Sequence, residues 1–142
     1  MSNRFPRLPM EIFRFLRHNV TGFLWPRLSI VDSEPGFLAL DANGYIVEAS
    51  QRELVVTSNG HRVAAFKDIQ AIHVQHFVNG SGNRRREWWT LSLKTLGRRP
   101  FVLGKSRDPT EASIAAAHLS TVVGKPVLAL AQTGARASQF EA

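Results

Sequence analysis

Two stretches constrain this chain more than any others: LALDANGYIVEA at residues 38–49 and ELVVTSNGHRVAAF at residues 53–66. Each sets an Asn-Gly pair, Asn43-Gly44 and Asn59-Gly60, between two short apolar runs. Asn and Gly both tolerate positive φ, which a two-residue hairpin turn of the right twist requires. With such a turn, Leu40 faces Val47 and Leu38 faces Ala49 in the first hairpin. In the second, Val56 faces Val63 and Leu54 faces Ala65. A slip of one residue would move every apolar side chain to the wrong face. Two hairpins that both align them therefore predict an antiparallel meander with one buried face.

The alternation continues downstream. A strand over Ile69–Val78 places Ile72, Val74 and Val78 on one face, with His73, Gln75 and Phe77 on the other. After the NGSGN turn, a strand over Arg84–Lys94 turns Trp89, Leu91 and Leu93 one way. Trp88, Thr90, Ser92 and Lys94 point the other way, provided no bulge interrupts the pleat. TLGRRP reads as a further turn and PFVLG as a last strand. Then the period changes. Asp108-Pro109-Thr110-Glu111 has the form of a helix start, with an Asp cap, Pro at the first helical position and a capping-box Glu. Ala112, Ala115, Leu119, Val122 and Val123 recur at helical spacing, and Gly124 with Pro126 ends the helix. The expectation is mainly β: about seven antiparallel strands in a barrel or sandwich, then one amphipathic helix at its open end. An amphipathic arm is expected over residues 1–31, the barrel with its closing helix over 32–127, and a frayed tail over 128–142.

This layout resembles the PH-like fold, in particular the small PH-like domains of bacterial proteins. The features that carry the resemblance are the meander, the strand entry AFKDIQAIHV, the hairpin WWTLSLKTLGRRPFVLG and the closing helix DPTEASIAAAHLSTVVGKPV, together spanning about residues 36–127. An unrelated barrel with a C-terminal helix is the alternative. The resemblance implies a binding module, but not a phosphoinositide site. Where that family binds headgroups, the basic residues sit around the first hairpin; here that hairpin holds Asp41 and Glu48 and no basic residue.

Length and composition fit one globular domain: 142 residues, 44% hydrophobic and 20% charged. The chain has no cysteine, which excludes disulfides, thiolate metal sites and cysteine nucleophiles and fits a reducing cytoplasm. Arg14 and Arg17 interrupt any signal-like apolar run near the start. The expected location is therefore cytoplasmic, with the inner face of the membrane as a peripheral site. Charge is polarised along the chain. Residues 1–31 carry five arginines against one glutamate, and residues 84–107 carry eight basic residues against Glu87 alone. The segment between them holds six acidic and three basic residues. Such a distribution attracts anionic surfaces or polymers, although arginines also simply solvate a strand edge.

Candidate contact residues follow from that distribution. Arg84, Arg85, Arg86, Trp88, Lys94, Arg98, Arg99 and Lys105 make the candidate binding face. Trp89 falls on the apolar face and reads as core. Trp88 points outward among arginines, as a surface cation–π partner, an interface anchor or a stacking platform. In the arm, Met10, Ile12, Phe13, Leu16, Val20, Phe23 and Leu24 share one helical arc. Phe13, Arg14, Leu16, Arg17, Phe23 and Trp25 are its candidate contacts, with the chain's own barrel, a partner or a membrane surface. No catalytic constellation emerges. Gly104-Lys105-Ser106 lacks the earlier glycine of a phosphate-binding loop, Arg99 standing there instead, and Gly80-Ser81-Gly82 joins two strands. His73 and His76 face opposite sides of a strand, so neither metal nor cofactor is expected. The expectation is a non-enzymatic module that binds a protein partner or itself, with an anionic membrane as a further surface. Nucleic acid on the Arg84–Arg107 face is the alternative.

Overall fold

The computed structural model describes residues 26–130. Its strands are β1 (Leu28–Glu34), β2 (Phe37–Ala42), β3 (Tyr45–Ser50), β4 (Val55–Ser58) and β5 (His61–Ala65). They are followed by β6 (Ile69–Asn79), β7 (Arg86–Thr95), β8 (Phe101–Ser106), helix α1 (Pro109–Val123) and β9 (Val127–Leu130). Strands β1 to β5 form one sheet in chain order, and a second sheet runs β8-β7-β6-β9. Every pairing is antiparallel except β9 on β6, which is parallel.

Both Asn-Gly turns take the left-handed conformation, with Asn43 at φ 56° and Asn59 at φ 53°. The first hairpin has the expected register, Leu40 on Val47 and Leu38 on Ala49, and Asp41 Oδ1 accepts the Gly44 N–H at 2.9 Å. The second departs from it. Thr57 pairs with Arg62, but Val56 pairs with Ala64, so Val63 is an extra, bulged residue. The bulge adds twist where the chain leaves the first sheet. Leu54 consequently lies outside the strand, exposed and at φ 56°, rather than opposite Ala65.

The core joins Leu38, Leu40, Val47 and Val56 of the first sheet to Ile69, Ile72, Leu91 and Leu93 of the second. Helix α1 closes it with Leu119 and with Ala112, Ala115 and Ala116, whose small side chains let it lie close. Each large aliphatic residue sealed this way contributes roughly 1.5–3 kcal/mol. Asp108 caps the helix by accepting the Thr110 N–H at 2.9 Å, and Gly124 ends it at φ 78°. Glu111 does not close a capping box. Its carboxylate accepts from Arg27 Nη2 at 2.9 Å, the Leu28 N–H at 3.1 Å and Ser106 Oγ at 2.8 Å. It thereby fastens the start of β1 and the end of β8 to the helix.

The sheets meet most closely beside β8. Asn43 Nδ2 donates to the carbonyls of Arg27 and Lys105, each at 2.9 Å, and Asn43 Oδ1 accepts the Lys105 N–H at 2.7 Å. A Cβ on Gly104 would lie 2.9 Å from Ala42 Cβ, Asn43 Oδ1 and Leu28 Cδ2. Only glycine permits this approach.

The described residues form two sheets, the sandwich form of the expected mainly β fold. Two sequence expectations are corrected. The described residues hold nine strands, not about seven. The added strands are β1, whose bulge between Ile30 and Asp32 breaks the period-two signal, and the four-residue β9. Strand β7 begins at Arg86, so Arg84 and Arg85 belong to the preceding turn. Among the described residues, β1 begins at Leu28 and β9 reaches Leu130, on either side of the 32–127 span. The arm contacts Phe13, Arg14, Leu16, Arg17, Phe23 and Trp25, and the tail from residue 131, lie outside the described residues.

Candidate functional site

The hairpin between β6 and β7 sets the geometry of the basic segment. Gly80 and Gly82 take φ of 81° and 59°, and a Cβ on Gly80 would come within 2.5 Å of the Arg84 carbonyl oxygen. Between them a single tight turn forms, with the Arg84 N–H on Ser81 O at 3.0 Å and the Arg85 N–H on Gly82 O at 3.2 Å. Pairing then runs without interruption from Asn79–Arg86 to Ala71–Lys94, the one irregularity lying at the far end between Ile69 and Ala71. The two tryptophans therefore keep the faces their alternation predicts.

Trp88 lies opposite Phe77 and stacks on it, ring centroids 5.6 Å apart. Lys105 Nζ, reaching over from β8, sits 5.4 Å from the Trp88 ring, a cation–π contact. Trp89, on the inner side, packs partly buried against the core and stacks on His76 at 4.4 Å with the rings nearly parallel. His76 Nε2 lies 2.8 Å from Glu87 Oε1, and Arg85 Nη2 lies 3.3 Å from the same oxygen. The His76 hydrogen bond holds the Glu87 carboxyl below the ordinary carboxylate range; desolvation opposes it, and Arg85 adds to the lowering.

The outer face of the second sheet carries more than this pair. Leu128 of β9 lies opposite His73, which lies opposite Ser92, which lies opposite Val102 of β8. Val102 and Leu128 are 57% and 45% exposed, whereas α1 packs from the core side against Ile72, Leu91 and Leu93. Val102 and Leu128 thus lie outward on the same sheet as the Phe77–Trp88 stack, about 13 Å further along its strands.

The candidate residues do not form a single patch. Arg84, Arg85 and Arg86 surround an open hollow of about 580 Å³ at the β6–β7 hairpin, where Arg107 joins them from the end of β8. Trp88 and Lys105 come next along the sheet. Lys94, Arg98 and Arg99 lie at the other end of β7, where Lys94 Nζ donates to the Arg98 carbonyl. At about 3.3 Å per residue, Lys94 stands roughly 26 Å from Arg86. Arg98 and Arg99 instead line a second hollow with Arg62 of β5 and Phe101 of β8. Sequence reasoning missed Arg107 as a member of the first group. The pairing of Ser106 with Trp89 brings it there, and strand alignment alone was the available signal. The aromatic partnership of Phe77 with Trp88 was legible, because the turn length fixes the register.

Among the described residues, no group of three or more His, Asp or Glu side chains is placed to hold a metal ion. None of their helices is long and apolar enough to cross a membrane. No family model, no curated protein and no solved structure matches the chain.

Proposed function

We propose that this chain is a non-enzymatic, PH-like binding module of the cytoplasm that contacts a protein partner or a second copy of itself. The contact surface is the outer face of the β8-β7-β6-β9 sheet, and the arginines at its margin favour an anionic membrane surface nearby. The observation that carries this reading is the Phe77–Trp88 stack under Lys105, with Val102 and Leu128 exposed further along the same sheet. The fold does not require large aromatic side chains on that side, since its core lies on the other. A tryptophan with basic neighbours on an apolar surface is what energetically dominant interface residues look like. The rival reading, nucleic-acid binding by the same arginines, needs an aromatic platform for bases, and Trp88 already stacks on Phe77 and carries Lys105.

The test is proximity labelling in cells with the intact chain and a Phe77→Ala/Trp88→Ala variant, folding checked by circular dichroism. Sedimentation velocity of both proteins runs alongside. Labelling of particular proteins by the intact chain, lost in the variant, supports a partner on this face; concentration-dependent association lost in the variant supports a second copy. Identical labelling and sedimentation of the two proteins would remove the face from consideration. Tight nucleic-acid binding that falls steeply with salt would move the assignment to the rival reading.

A further inference from the structure

We infer that the β6–β7 hairpin and the end of β8 form a discrete site for a phosphate group carrying more than one negative charge. The inference rests on the reading of this region as a contact surface, but it uses different residues from the aromatic face. Arg84, Arg85, Arg86 and Arg107 line one hollow together with Asn79 and Asn83, Arg85 being paired with Glu87 as well. The hollow's lining contains no carboxylate, and Glu87, next along the chain, is bonded to Arg85 and His76.

Consecutive residues of a strand alternate sides, and Arg85 accordingly turns to Glu87 on the Trp89 side while Arg86, which opens β7, falls on the Trp88 side. The tight turn that precedes them closes at Arg84. Its conformation depends on Gly80, where any side chain would collide with the Arg84 carbonyl. Like charges around one hollow repel one another, and a bound dianion turns that repulsion into attraction. Guanidinium groups present paired N–H donors that match phosphate oxygens in bidentate fashion, and the two asparagine amides add neutral donors at the same rim. The ligand chemistry is a phosphate monoester or pyrophosphate, carried on a lipid headgroup or free in solution.

The test uses the full chain and sodium pyrophosphate in titration calorimetry at constant ionic strength, with sodium chloride as the comparison. The expected result is saturable binding, weakened about tenfold or more by Arg84→Gln/Arg86→Gln, as loss of charge-assisted hydrogen bonds implies. Gly80→Ala, which leaves the charge unchanged, is expected to weaken it as well. Arg98→Gln/Arg99→Gln removes the same charge from the far end of β7 and is expected to leave binding intact. Equal loss in the two arginine pairs, or no saturable binding, would overturn the site in favour of diffuse attraction. The arginine pairs are exposed and keep the test valid should Gly80→Ala fail to fold. Phe77→Ala/Trp88→Ala is expected to bind pyrophosphate normally, so failure of the partner face and failure of this site are separable. The source is read from vesicles. Pelleting with phosphatidic acid but not with phosphatidylserine at equal surface charge supports a headgroup, and pyrophosphate binding without pelleting supports a soluble ligand. Equal pelleting on both vesicles without pyrophosphate binding overturns the proposal.

Discussion

At the scale of single residues, one tight tolerance lies where the two sheets meet. Gly104→Ala forces a methyl group against Ala42, Asn43 and Leu28. Overpacking of this kind costs about 1–3 kcal/mol, visible as a lower denaturant midpoint with an unchanged slope. Asn43→Ala strips the bonds that tie the β2–β3 turn to Arg27 and Lys105 and leaves a non-glycine residue at positive φ. An equilibrium unfolding loss of about 1–3 kcal/mol is expected. Glu87 gives a pH signature. Its folded-state pKa lies below the unfolded one, chiefly through His76. Its stabilising contribution is therefore complete above the ordinary carboxylate range and disappears as pH falls through the lower folded value. Glu87→Gln is expected to flatten the acid side of a melting-temperature profile and leave its neutral region less affected by acidification. An unchanged acid limb would remove the pair from the stability account.

At the scale of elements, the helix start shows two separable roles. Asp108→Ala removes a side-chain cap and should cost about 1 kcal/mol, measured by chemical denaturation. Glu111→Ala instead frees the start of β1, so amide exchange at Leu28 should accelerate more than exchange within α1. This division also marks what the sequence discloses. The Asn-Gly hairpins, the faces of β6 and β7 and both ends of α1 were legible because local chemistry dictates them. Glu111 stands at capping-box spacing, but Leu28, Arg27 and Ser106 compete for its carboxylate, and contacts so distant in sequence leave no local trace. Val63 and the Ile30–Asp32 irregularity were hidden for a related reason: a bulge changes the pairing without changing the residue types. Strand β9 was too short to show a period, and its partner lies far back in the chain. The candidate site was half legible. The arginines announced themselves, but their division between two ends of β7 depends on strand length and on the turn at Gly80.

At the scale of the whole molecule, positive charge collects at opposite ends of one sheet, with aromatic and aliphatic residues between them. Salt is therefore expected to act differently on different contacts: anion binding at the β6–β7 hairpin should weaken with ionic strength, while association through Phe77 and Trp88 should persist. The parallel pairing of β9 has a consequence for biogenesis. Strand β6 acquires its partner β7 almost at once during synthesis, but its other edge remains bare until Val127–Leu130 has left the ribosome. The Pro126 carbonyl, which accepts the Ile72 N–H at 2.8 Å, arrives equally late. Throughout that interval the nascent chain presents an apolar strand edge to its neighbours. Translation that stalls before residue 127 would release a chain with a competent meander and an adhesive flank, a natural substrate for chaperones.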